Sequence, residues 1–278
     1  MTAEQLFTDR LQTQDAVLIT VHGHRGSVPR EAGAWMAVFA QTSVGTVGGG
    51  HLEWQAMTEA RARLQGKTGD PLQRYALGPT LGQCCGGEVT LKFEAVSAPD
   101  VPRLQMAFAA TRANWPQVAL FGGGHVGFAL VQTLAPLPLR VRWVDSRDGV
   151  FPAALPANVC AEFSDPVQQA VASLVANSHV LVMSFSHAED LDVVAACLKR
   201  QRLTADLPFV GLIGSKTKWA AFRHRLQARG FSDEELAHVT CPIGLPGISG
   251  KAPEVIALAV AAQLLQVMGH AAVTRSDT

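Results

Sequence analysis

Cys84 and Cys85 stand side by side ahead of Gly86 and Gly87, and this is the most suggestive thiol site in the chain. Adjacent Cα atoms lie about 3.8 Å apart, below the usual disulfide span, so a bridge between the two would be strained. In an extended segment neighbouring side chains face opposite ways, so one thiol can meet a ligand while the other packs inside. Glycines beside Cys85 leave room for a bulky group, and an exposed thiol is open to thiolate chemistry or soft-metal ligation. The alternative is that both are small buried hydrophobes. Cys160, Cys197 and Cys241 fall in apolar segments and read as core.

Anion binding is the second chemistry on offer. Gly122-Gly123-Gly124-His125-Val126-Gly127 matches G-x-G-x-x-G after an expected strand and at the start of an expected helix. Gly122, Gly124 and Gly127 permit a tight turn and close approach of a phosphate to the helix N-terminus. Asp145 closes the next expected strand, roughly where a ribose-binding acid belongs, about 20 residues on. A fold that persists with its nucleotide site altered would carry the same residues. Gly48, Gly49 and Gly50 form a second glycine loop that leads into His51-Leu52-Glu53. Its amides could cradle an anion, or the loop is a tight strand-to-helix turn with Glu53 favourable in the first turn.

Arg30, with His22, His24 and Arg25, flanks Gly26-Ser27-Val28-Pro29; such a loop clamps a carboxylate or phosphate, or carries solvated charges. His187 follows a strand at its carboxyl end, where open α/β sheets bind ligands, and Ser186 suits a helix cap. Two apparent P-loops fail. Ser215 precedes Lys216 where glycine is required, and Ala252 follows Lys251.

The elements that must position these residues divide the chain in two. Strands are expected at Ala16–His22, Ala34–Ala40, Leu72–Leu77 and Glu88–Val96, with a helix from about His51 to Leu64 and another from Arg103 to Arg112. Beyond them comes alternation: strands at Val118–Phe121, Arg140–Val144, Val159–Phe163, His179–Phe185 and Phe209–Ile213. Helical patterns separate or follow them at His125–Leu134, Pro166–Val175, Glu189–Arg200, Lys216–Arg229 and Pro253–Met268. Parallel strands need crossovers, so this rhythm predicts a doubly wound parallel sheet. The expected fold is α/β, an N-terminal α+β domain over 1–112 and a Rossmann-like domain over 113–278.

Composition narrows the function classes. With 23 basic and 23 acidic residues there is no basic footprint for nucleic acid or an anionic membrane. Gln263 and Gln266 interrupt the longest apolar stretch, Val255 to Met268, which is too short to span a bilayer. The N-terminal residues lack a signal-peptide pattern, and scattered cysteines suit a reducing compartment, so a cytoplasmic protein is expected.

Taken in order, several motifs carry a resemblance that spans nearly the whole chain. They are Gly26–Arg30, Gly33-Ala34, Gly45–Glu53, Cys85–Gly87, Gly122–Gly127, the Gly211–Lys216 turn and Cys241–Leu245. The chain resembles the xanthine dehydrogenase accessory protein family, of the XdhC/CoxI type. Many relatives carry Cys where this chain has His51, which leaves any thiol role to Cys85. The resemblance implies a molybdenum-cofactor chaperone rather than a turnover enzyme. Such a protein binds molybdopterin while a cysteine desulfurase sulfurates it, then hands it to xanthine dehydrogenase. Together with the motif readings above, it sets the expected cofactor contacts at Arg30, Gly48–Gly50, Cys85, Gly122, Gly124, Gly127, Asp145 and His187, with Cys85 toward the metal, in an expected homo-oligomer. A separate nucleotide in the Rossmann loop is the further cofactor expectation. The rival reading is an NAD(P)-dependent oxidoreductase, with His187 as its one acid candidate.

Overall fold

Ten consecutive residues, Ala16–Arg25, buried on both faces over their first half and open to solvent toward their end, form the central strand of the N-terminal half (β1) in the computed structural model, which describes residues 2–77 and 87–276, with side chains through 269. The chain divides into two compact units, Met1–Ala110 and Thr111–Thr278. In the first, β1 pairs antiparallel with β2 (Trp35–Val38) and with β5 (Glu88–Val96). The short strand β3 (Ser43–Gly45) and β4 (Leu72–Ala76) complete a five-stranded sheet of order β3-β2-β1-β5-β4. Side chains two apart share a face. Val17, Ile19 and Val21 therefore pack with Leu52, Ala56 and Ala60 of α2 (Gly50–Leu64) on one side. Ala16 and Leu18 pack on the other with Phe7 and Leu11 of α1 (Ala3–Leu11) and Leu104 of α3 (Val101–Ala113).

The second unit is a six-stranded, wholly parallel sheet of order β11-β10-β9-β6-β7-β8. Its strands are β6 (Gln117–Phe121), β7 (Arg140–Asp145), β8 (Val159–Phe163), β9 (His179–Val182), β10 (Phe209–Leu212) and β11 (Val239–Thr240). Strand faces again alternate. Val118, Leu120, Val141 and Trp143 pack with α4 (His125–Leu134) and α8 (Pro253–Ser276). Ala119, Phe121, Val180 and Val182 pack with α5 (His187–Thr204) and α6 (Lys216–Ala228). The chain leaves β6 toward β7 and β8, then returns to place β9 on the other side, so the switch point lies between β6 and β9. That crevice is where such sheets bind ligands.

Three expectations change. The segment Val167–Ser173 is 3-10 helix rather than α-helix, opening just after Pro166. Cys160 lies on edge strand β8 and is exposed, whereas Cys197 is buried, its thiol pushed up to about 12 by burial. Edge position explains the difference, since β8 has no neighbour beyond it. The capped helices α1 and α7 (Asp233–Leu236) and the short strands β3 and β11 were not expected. Among the described residues no helix is long and apolar enough to cross a membrane.

Candidate functional site

In the N-terminal unit, tertiary pairing draws together motifs far apart in sequence. The antiparallel pairing of β1 with β5 sets Arg25 opposite Glu88. Gly87, just before β5, lies so close to Arg25 and Ser27 that a Cβ there would run into their backbone carbonyls. Gly87 must therefore be glycine. The Leu77 amide donates to the Gly87 carbonyl at 2.7 Å, so β4 and β5 are joined at this end as well. Gly48 arrives from the other direction, with φ +133 and no room for a Cβ against the Pro29 ring. The Arg30 side chain lies beside it, its Cγ 3.8 Å from where that Cβ would stand, and Arg30 is exposed. Cys84, Cys85 and Gly86 lie outside the described residues; Gly87, their neighbour, is at this corner.

The loop of Gly48, Gly49 and Gly50 already holds an anion, and it is the protein's own. Glu53 Oε2 accepts from the Val47 amide at 3.1 Å, the Gly49 amide at 3.0 Å and the Thr46 hydroxyl at 2.5 Å. The Gly48 amide donates to Thr46 Oγ1 at 3.1 Å. Of the two readings of this loop, the self-closed turn is the one formed, and its amides at Val47, Gly48 and Gly49 are engaged. What remains open is the start of α2, where exposed His51 stacks on Trp54 with ring centroids 5.5 Å apart.

In the second unit each glycine of the Gly122–Gly127 loop has its own duty. A Cβ on Gly122 would strike the Met183 carbonyl across the switch point, and one on Gly127 would strike the Gly122 carbonyl. That carbonyl also accepts from the buried Trp143 indole at 2.9 Å. Gly124 differs. It is the N-cap of α4, and a Cβ there meets nothing within 4 Å. It faces a cavity of about 680 Å³ lined by Gly123, Gly124, His125, Phe128, Arg147 and Glu254, among others. The start of α4 offers free amides and a partial positive charge to an anion there.

Asp145 stands at the carboxyl end of β7, yet it is 1% exposed and turned inward. Oδ2 accepts from the Gly123 amide at 2.6 Å and from Arg147 Nη2 at 2.9 Å. Oδ1 accepts from the Arg147 amide and Nε, both at 2.9 Å. Burial raises the Asp145 pKa, but Arg147 and the two amides outweigh it and hold the carboxyl below the usual range. The residue expected to read a ribose instead anchors the glycine loop and Arg147. Ser186 caps α5, its hydroxyl accepting from the Glu189 amide at 3.2 Å. His187 is exposed, edge-on to Phe222 at 6.2 Å, with no hydrogen-bond partner among the described residues.

Two groups of functional weight went unread in the sequence. Arg147 is a cation at the strand end, two residues after the acid the motif requires, and that spacing was its only signal. Lys218 donates to buried Asp190 at 2.6 Å and to the Ile213 carbonyl at 2.8 Å, while Asp190 accepts from the Ser184 amide at 2.7 Å. The pair ties the ends of β9 and β10 together; nothing in its spacing announces it. No group of three His, Cys, Asp or Glu able to hold a metal occurs among the described residues.

Against known families, residues 118–264 match the XdhC Rossmann domain, and residues 10–76 match the XdhC and CoxI family. The chain belongs to the XdhC family. It is 26% identical over 254 residues to the uncharacterized protein YqeB of Escherichia coli K12, across 89% of this chain. It spans only 42% of YqeB's length. A crystal structure of a xanthine dehydrogenase from Bacillus halodurans superposes with a TM-score of 0.73 at 20% identity. That match covers 97% of this chain and 96% of the other, a likeness of fold that runs through both units of this XdhC-family chain.

Proposed function

We propose that this protein is a molybdenum-cofactor chaperone that serves xanthine dehydrogenase maturation, receiving the cofactor while a cysteine desulfurase sulfurates it. Family membership supports a role connected with xanthine dehydrogenase. The observation that carries the cofactor reading is the open corner at Gly124, where a missing side chain borders a cavity of about 680 Å³ that a ligand-sized group can enter. The cofactor's phosphate fits this donor set: the first amides of α4 and the Arg147 guanidinium. The glycine loop before α2 does not fit, since Glu53 already holds its amides. In the N-terminal unit, taken by itself, Cys85 stays the thiol candidate for a metal and exposed Arg30 a cation for an anionic group. Bound at the Gly124 corner, the cofactor would bring its molybdenum centre, and the protein's part is to hold it by its phosphate.

The oxidoreductase alternative loses its support. Asp145 is engaged by Arg147, and His187 lies on the surface with no hydrogen-bond partner among the described residues. The test is to purify the protein from a molybdenum-replete host and oxidise it. Pterin fluorescence in stoichiometric amount is expected, and bound nicotinamide in its place would overturn the proposal. A surface-plasmon measurement against xanthine dehydrogenase and against a cysteine desulfurase tests the partners, with transient binding expected for both.

A further inference from the structure

The carboxylate of Asp145 has two donors on each oxygen, so a ribose diol must evict Arg147 before it can bind there. Arg147 lines the cavity with Gly124 and His125, and what a ligand meets at this corner is therefore a guanidinium. Asp145 takes Nε and one Nη2 hydrogen; the rest of the five-donor fork has no partner among the described residues. Two contacts also cross the switch point over the end of β6. Ser146 donates to Glu189 Oε1 at 2.5 Å, and the Arg147 guanidinium stacks on Phe185 at 4.6 Å. Both join the loop after β7 to the segment after β9, along the path an extended dinucleotide takes. Beside them, Ser184 Oγ and Glu189 Oε2 are buried with no hydrogen-bond partner among the described residues, a state that buried polar atoms rarely keep.

Resting on the cofactor-binding reading above, we propose that this cavity takes a compact ligand by its phosphate monoester, with Arg147 as the specificity-determining residue, and rejects ligands read through a ribose diol. The phosphate of a pterin cofactor and that of a nucleoside 5′-monophosphate share this chemistry. Arg147 both presents the guanidinium and withholds Asp145, so one residue sets both the preference and the rejection.

The experiment is isothermal titration of the full chain with four probes: pterin cofactor released from a purified molybdoenzyme, 5′-AMP, adenosine and NAD+. Wild type is compared with Arg147→Lys, which keeps a cation on Asp145, and with the double variant Asp145→Asn/Arg147→Gln, which leaves no buried charge unpaired. Thermal melting checks that each variant folds. Wild type should bind a monophosphate at least tenfold more tightly than adenosine or NAD+. The double variant should lose that preference at least tenfold, with Arg147→Lys between. Dependence on Arg147 for the pterin cofactor supports both the inference and the chaperone reading. The same dependence for 5′-AMP alone supports the inference and overturns the chaperone reading. Cofactor bound equally by wild type and the double variant overturns the inference and spares that reading. NAD+ bound as tightly as 5′-AMP, or no probe bound at all, overturns the inference.

Discussion

Glycines with the same place in a motif do different physical work, and substitution separates them. Gly124→Val adds atoms only to open space at a φ of −76, so its melting temperature should stay within about a degree of wild type while ligand binding at the cavity is lost. Gly127→Ala drives a methyl into the Gly122 carbonyl and should lose about 3 kcal/mol in denaturant unfolding. Equal destabilisation by both would mean the loop is structural throughout. Glu53→Ala strips the acceptor from two amides and a hydroxyl, and a loss of about 1–3 kcal/mol is expected. If a ligand used those amides instead, removing Glu53 would raise its affinity at little cost in stability. Cys85→Ser should lower bound molybdopterin after gel filtration without changing the melt, whereas Cys84→Ser should lower the melting temperature. Full cofactor loading of Cys85→Ser removes the thiol from the proposal and leaves the first amides of α4 and Arg147 to hold the ligand.

At the level of elements, ion pairs tie together element ends in the second unit, whose apolar faces form its cores. Arg200 near the end of α5 donates to Asp206 at 2.6 Å and 2.9 Å and to the Val171 carbonyl at 2.8 Å, tying the 3-10 segment to the approach to β10. The Arg200 hydrogen bond draws the Asp206 carboxyl down to about 2. An unfolded aspartate titrates near 3.9, so the folded state binds this proton less readily. Its stabilisation is therefore complete above about pH 4 and fades as pH falls toward 2. Asp206→Asn should melt lower than wild type at pH 7, by about 2–4 °C for each kcal/mol lost. The gap should close on acidification to pH 2, and a gap independent of pH would assign the loss to packing. Strands β6 to β10 were legible as short strand-forming segments alternating with helical patterns, whereas β11 is only two residues long and left no pattern to read. The 3-10 segment carried the same apolar spacing as an α-helix, and spacing over two turns does not distinguish them.

Across the whole chain, each unit contains its own buried core on both faces of its sheet. Segments 1–113 and 115–278, expressed separately, should each give a single cooperative thermal transition. A fragment that stays unfolded until its partner is added would overturn that independence. What the sequence determined by itself is the α/β class, the parallel alternation after Gln117, the G-x-G-x-x-G turn and the family. Those are local or periodic properties, set by which residues lie one turn or one pleat apart. What Asp145, Glu53 and Arg147 do was decided only in three dimensions. A carboxylate near a glycine loop, whether four residues on as Glu53 is from Gly49 or 22 on as Asp145 is from Gly123, reads equally well as a cap, a ligand contact or a lure for the protein's own amides. The choice rests on how the backbone turns: Glu53 and Arg147 fold back onto groups a few residues away, while Asp145 reaches Gly123 across from the next strand. Gly87 meets Arg25 and Ser27 for the same reason: antiparallel pairing of β1 with β5 brings distant positions into register, and no spacing along the chain records it.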